Sequence, residues 1–164
     1  MAKLIVIHGP TGVGKSTMAA KLYDSLEQPL DLVSQDAIYH DLLGGAGDPA
    51  KFEAVKLIEL LVDQLIQDGY QVILEGLLRA DRYRPVFKHM MGDFDIQFIY
   101  LSAYPDTTSK RHAKREISEL FSEDKVREWH NLSEPYGIGN EIIIQTDEQS
   151  EDETRKSIKQ HLNL

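Results

Sequence analysis

The chain has 164 residues and no cysteine. That absence excludes a disulfide scaffold, a thiolate zinc centre and chemistry with a cysteine nucleophile. Positive charge is also scarce: 18 Lys and Arg face 27 Asp and Glu, a formal net charge of −9. Such a surface repels nucleic acid and anionic lipid, so either partner would need a local basic patch. Long hydrophobic runs are missing too. The run Leu4 to Ile7 is only four residues, short of a membrane span or the apolar core of a signal peptide. No two histidines have metal-ligand spacing, and there is no repeat or low-complexity tract. What remains is 41% hydrophobic and 27% charged. That suits a single globular domain over 1–164 with a core of its own, and it is too apolar for disorder. A cytoplasmic enzyme or binding protein is the expectation.

The periodicity alternates between short apolar runs and amphipathic stretches. Lys3 to His8, Leu30 to Ser34, Gln71 to Leu74, Asp95 to Leu101 and Glu141 to Gln145 read as strands. Between the first two, Met18, Leu22 and Leu26 share a helical face. Phe52, Val55, Ile58, Leu61/Val62 and Leu65 repeat at helical spacing up to Gly69, a C-cap. Further helices are expected over 81–92, 105–118 and 122–131. Ser150 with Glu153 has capping-box spacing and opens a last helix carrying Ile158 and Leu162. Strands separated by helices pair in parallel through crossovers, giving an α/β sandwich with helices on both faces of the sheet. Ligands of such sheets bind beyond the carboxyl ends of the strands. Gly44 to Pro49 reads as a break between helices, either a flap over a substrate or a plain connection.

Gly9-Pro10-Thr11-Gly12-Val13-Gly14-Lys15-Ser16 fits the pattern G-x-x-x-x-G-K-[ST]. It comes after an apolar strand and opens an amphipathic helix, the context that the pattern requires. Its glycines let the backbone curl so that successive N–H groups, from Thr11 and Val13 through Thr17, converge on a phosphate. The helix N-terminus adds partial positive charge. Lys15 supplies a point charge to β- and γ-phosphates, and Ser16 a hydroxyl to Mg²⁺.

Other candidates lie just after strands. Glu75, at the end of the third, can hold Mg²⁺ or its water shell; the plainer reading is a solvated carboxylate. Arg79, with Arg82 and Arg84 beyond it, either binds an acceptor or simply begins a basic helix. Asp36, after the second strand, can accept a proton from an attacking hydroxyl, or it can cap the short helix 37–43; both roles fit. His40, four residues on, either lines an acceptor pocket or sits on the surface. Lys110-Arg111-His112-Ala113-Lys114-Arg115 is the densest basic patch. Arg111 and Arg115 share a helix face, and an anion or the acids Glu116 and Glu119 would compensate them. Asp147 to Glu153 is an acidic helix start that suits the dipole. Trp129 and Tyr136 are read as packing or a hinge near Pro135-Tyr136-Gly137, and His8 as a strand-end side chain.

These residues resemble the small P-loop kinases of the adenylate-kinase-like and nucleoside-kinase-like class. Gly9 to Ser16 looks like their Walker A loop. Glu75-Gly76-Leu77-Leu78-Arg79 is similar to the acid-Gly-x-x-Arg stretch of nucleotide kinases, and Arg111 and Arg115 look like lid arginines. The resemblance implies a five-stranded parallel sheet of order 2-3-1-4-5, an acceptor-side segment over about 36–68, and a helical lid over about 104–131. Kinases of nucleoside monophosphates carry an Arg after the second strand. Here Val33 to Leu43 has none and offers Asp36. That is closer to the alcohol kinases: chloramphenicol phosphotransferase, zeta-toxin-type kinases and polynucleotide kinase, where an acid at this place is the general base.

The resulting expectation is an ATP- and Mg²⁺-dependent phosphotransferase with a small hydroxyl acceptor, no membrane and no nucleic acid. Lys15, Asp36, Arg111 and Arg115 are its catalytic set. Gly9, Thr11, Gly12, Val13, Gly14, Lys15, Ser16, Thr17 and Arg111 are its nucleotide site, Asp36, His40 and Arg79 its acceptor site, and Ser16 and Glu75 its metal site. Two rivals are a 5′-end nucleic-acid or nucleotide kinase, which predicts a basic strip leading to Asp36, and a nucleotide-binding NTPase switch, which leaves Asp36 without a task.

Overall fold

The structure is a computed structural model that describes residues 3–27, 29–45, 47–113 and 123–164. Five parallel strands form one sheet in the order β2-β3-β1-β4-β5. They are β1 (Leu4–His8), β2 (Leu30–Ser34), β3 (Gln71–Gly76), β4 (Ile96–Ser102) and β5 (Ile142–Gln145). The expected parallel sheet, its strand order and its helix layers are all present. The helices are α1 (Lys15–Tyr23), α2 (Gly47–Gln67), α3 (Ala80–Met90), α4 (Pro105–Ala113), α5 (Glu123–Asn131) and α6 (Glu151–His161).

The central strand explains the layering. Leu4 and Val6 point to one face and Ile5 and Ile7 to the other, as the period of two requires. The first pair packs with Val55, Ile58 and Val62 of α2 and Tyr83 and Phe87 of α3. The second packs with Met18, Ala19 and Leu22 of α1 and Ile158 of α6. All four β1 side chains have no exposed surface. Burying each Leu, Ile or Phe of these layers contributes about 1.5–3 kcal/mol.

Several boundaries differ from the sequence reading. Helix α2 starts at Gly47, so the expected break over 44–49 shrinks to Gly44 and Gly45 among the described residues. Pro49 is compatible with this because a first-turn proline gives up no helical hydrogen bond. The buried stripe of α2 is Ala54, Val55, Ile58, Val62 and Ile66, while Phe52 and Leu61 are 58% and 42% exposed. Phe52 and Leu61 therefore lie outside the core-facing stripe, against the expected pattern. Helix α1 ends at Tyr23, short of 27, and β3 runs on to Gly76. The Ser150–Glu153 capping box forms with both of its reciprocal bonds, and Gly69 closes α2 at φ 93°. Among the described residues, no helix is long and apolar enough to cross a membrane.

Candidate functional site

The carboxyl ends of β1, β3 and β2 lie side by side. His8 pairs with Gly76, and Ser34 with Glu75. The loops leaving these strands are therefore gathered at one edge, as parallel sheets require. From β1 comes the loop Gly9–Gly14, which hands over directly to α1. Gly9 has φ 142°, and a Cβ there would lie 2.1 Å from the carbonyl oxygen of Leu101. Only glycine admits that approach, which presses the loop against the end of β4. Gly14 sits at the helix N-cap with φ 96° and no side-chain cap, so no side chain caps the positive end of α1 that points into the loop. The Lys15 ammonium donates to the Pro10 carbonyl at 2.8 Å, folded over the loop.

Ser16 and Glu75, the expected metal pair, are joined. Ser16 Oγ donates to Glu75 Oε2 at 3.1 Å, and Ser34 Oγ donates to Oε1 at 2.6 Å. Glu75 is 5% exposed, so these hydroxyls stand in for water on a buried carboxylate. Nothing local in the sequence singles out Ser34, because its role comes from the β2–β3 register. A hard all-oxygen donor set of one carboxylate and hydroxyls suits Mg²⁺, which keeps much of its own water and takes few protein ligands. Among the described residues, no group of three His, Cys, Asp or Glu side chains forms a dedicated metal cage.

After β2 the chain tightens. Gln35 fills the space above Gly76, where a Cβ would lie 2.5 Å from Gln35 Cβ. Its carboxamide accepts from Leu78 N at 2.8 Å and donates to Tyr83 Oη at 3.3 Å. Gln35 thereby fixes the backbone on which Asp36 sits. Asp36 is exposed, has helical backbone angles and makes no side-chain cap bond. The helix-cap reading is thus corrected: the next segment, Ala37–Leu42, is a π-helical turn closed by Leu43 N to Ile38 O at 3.1 Å. Such turns carry an extra residue and recur at functional sites. His40 is exposed, its ring edge-on to Tyr39.

At the start of α3 three arginines have different fates. Arg79 is locked to Asp81 by two bonds of 3.0 and 2.7 Å. Arg84 donates to Glu134 and to the Pro135 carbonyl. Arg82 lies over the Phe52 ring, 5.3 Å from its centroid. On the opposite flank, Arg111 of α4 donates to Thr146 Oγ1 and to the Thr146 carbonyl at 3.1 and 3.2 Å. With Gly12, Gly14, Thr17, Gln149 and Thr154 it lines a cavity of ≈ 330 Å³. Thr11 and Val13 lie in the loop between Gly9 and Gly14, Val13 buried. Arg115 lies outside the described residues.

Behind the loop, His8 proves to be more than a strand end. It is 1% exposed, stacked on Tyr136 at 3.9 Å, and bonded through Nε2 to Glu141 at 2.7 Å. Glu141 also accepts from the Tyr136 and Gly137 amides at 3.0 and 2.8 Å. Tyr136 Oη donates to the Leu78 carbonyl at 2.6 Å, steadying Leu78 at φ 41°, a backbone state costly for leucine. Burial lowers the His8 pKa below its ordinary value of 6.5, against the pull of Glu141, so the imidazole is neutral near pH 7. Burial alone would raise Glu141, but the bonds from His8 and the two amides outweigh it and hold the carboxyl below its ordinary 4.5.

The profile of a family described as "AAA domain" matches residues 4–134. No curated protein matches significantly. Among solved structures, a sugar kinase from Janibacter sp. HTCC2649 superposes with TM-score 0.80 at 17% identity, over 99% of this chain and 95% of that one. The APS kinase of Mycobacterium tuberculosis, in complex with AMPPNP and APS, gives 0.71 at 15% identity over 99% and 98%. Shikimate kinase from Bacteroides thetaiotaomicron gives 0.67 at 15% identity, over the whole of both chains. The fold is that of the small P-loop kinases.

Proposed function

The chain belongs to this AAA-domain family, and from that premise we propose that it transfers the γ-phosphate of ATP to a hydroxyl of a small molecule. One observation carries the reading: the Lys15 loop, the Ser16–Glu75–Ser34 cluster and the exposed Asp36 carboxylate, which makes no cap bond, sit at three adjacent strand ends. Kinase neighbours that act on sugars, shikimate or APS support a small hydroxyl acceptor.

The loop amides and Lys15 grip the β- and γ-phosphates. Ser16 and Glu75 would hold Mg²⁺, which when bound neutralises phosphate charge. The cavity between the loop and Thr146 suits the nucleoside, with Arg111 as its polar wall. Asp36 orients the acceptor hydroxyl and takes its proton, while His40 and Arg79 flank the acceptor. The acceptor oxygen bonds to the γ-phosphorus as the bond to the β,γ-bridging oxygen breaks, and ADP leaves with the electron pair. Water must be kept out, or ATP is hydrolysed instead.

The test is ADP release from ATP and Mg²⁺ against a panel of sugars, shikimate and APS. At least one acceptor should raise turnover, and Asp36→Asn should cut it about 10²–10⁴-fold while AMPPNP binding persists. A protein that binds AMPPNP but responds to no alcohol would be a nucleotide switch, and full turnover in Asp36→Asn would remove the base.

A further inference from the structure

Two of the three arginines at the head of α3 already pair with a carboxylate. Asp81 fills the edge of Arg79 with two bonds, and Glu134 with the Pro135 carbonyl takes Arg84. Among the described residues, no carboxylate or carbonyl accepts from the Arg82 guanidinium at hydrogen-bond distance. Its guanidinium instead rests over Phe52, the ring that α2 leaves 58% exposed. A ring under one face of a guanidinium fixes its plane and leaves the N–H edge presented outward, the geometry that accepts a carboxylate or phosphate in a fork.

Position gives this edge its meaning. Tyr83, next to Arg82, is bonded to Gln35, the residue before Asp36. Its hydroxyl is held up mainly by burial, but Arg82 and Asp36 also act on it with opposite sign. Arg82 and Asp36 thus flank the hydrogen-bonded pair Tyr83 and Gln35, where α3 meets the start of the π-turn. A neutral acceptor needs no cation there. An acidic one does, because Asp36 and the ATP phosphates would otherwise repel it.

We propose that Arg82, seated on Phe52, binds an acidic group of the acceptor, so that the substrate class is hydroxyl compounds bearing a carboxylate or a phosphate. This rests on the phosphotransfer reading. It moves the anion-binding role from Arg79, already paired, to Arg82.

The experiment uses the full chain with its loop saturated by AMPPNP and Mg²⁺, so that added anions cannot occupy the phosphate loop. Glycerate, glycerol 3-phosphate and glycerol are titrated calorimetrically. At least one anion should bind in the millimolar range and glycerol should not; which of the two binds identifies the acidic group. Arg82→Gln should weaken anion binding about tenfold or more. Arg82→Lys, which keeps the charge but loses the fork, should fall between, and it serves if Arg82→Gln melts early. The proposal is overturned if neither anion binds, if glycerol binds equally well, or if the variants bind like the parent. ADP release, measured in parallel, separates the two claims. Arg82-dependent anion binding without any acceptor-stimulated turnover refutes phosphotransfer alone, whereas turnover with neutral alcohols and no anion binding refutes the Arg82 subsite alone.

Discussion

At Gly9, a methyl group would meet the Leu101 carbonyl oxygen at 2.1 Å, with φ at 142°. The obstacle is backbone of a buried strand and cannot swing aside. Gly9→Ala is therefore expected to cost several kcal/mol of stability, read as a lower urea midpoint. Lys15 makes a different case. Its ammonium is bonded to the loop itself, so Lys15→Ala should fold and yet lose the thermal stabilisation that AMPPNP gives the parent. Retained stabilisation would remove the loop assignment. Arg82 shows how side chains that look equivalent in sequence part company. Arg79, Arg82 and Arg84 form one basic run, and only the positions of Asp81, Glu134 and Phe52 distinguish them.

Elements with strong local signals are legible in the sequence. The apolar run of β1, the capping box of α6 and the glycine pattern of the loop are each written within a few residues, and each forms as read. Ser150→Ala should accordingly cost about 1 kcal/mol, measured by chemical denaturation. Features that depend on pairing across the sheet are not legible. Ser34 reaches Glu75 only because β2 and β3 lie in that register. His8 finds Glu141 across 133 residues of sequence. The π-turn after Asp36 is equally silent, because its i to i+5 bond has no hydrophobic repeat to announce it.

The His8–Glu141 clamp predicts a pH dependence at this scale. The His8 pKa is lowered in the fold, so the unfolded chain binds the extra proton first. Stability should be full above about 6.5 and fall as pH drops through the lowered folded value. Glu141 is lowered from 4.5; its contribution is present above that value and is lost as pH falls through its folded value. Melting temperature tracked from pH 8 to pH 4 should decline in both windows, and His8→Asn should flatten the upper one. A melting temperature that rises on acidification would contradict the clamp.

The molecule as a whole is one sheet whose halves handle different tasks. β2 and β3 carry Ser34, Asp36 and Glu75 on one side of the loop, while β4 and β5 lead to Arg111 and Thr146 on the other. The family match ends at residue 134, whereas Thr146, Gln149 and Thr154 of the cavity come after it. On the proposed reading, the wall that faces the base therefore lies outside the stretch that the family profile matches. On that same proposal, substitutions over 146–154 are expected to shift ATP-versus-GTP preference and leave the transfer chemistry alone, read as kcat/KM for each nucleotide.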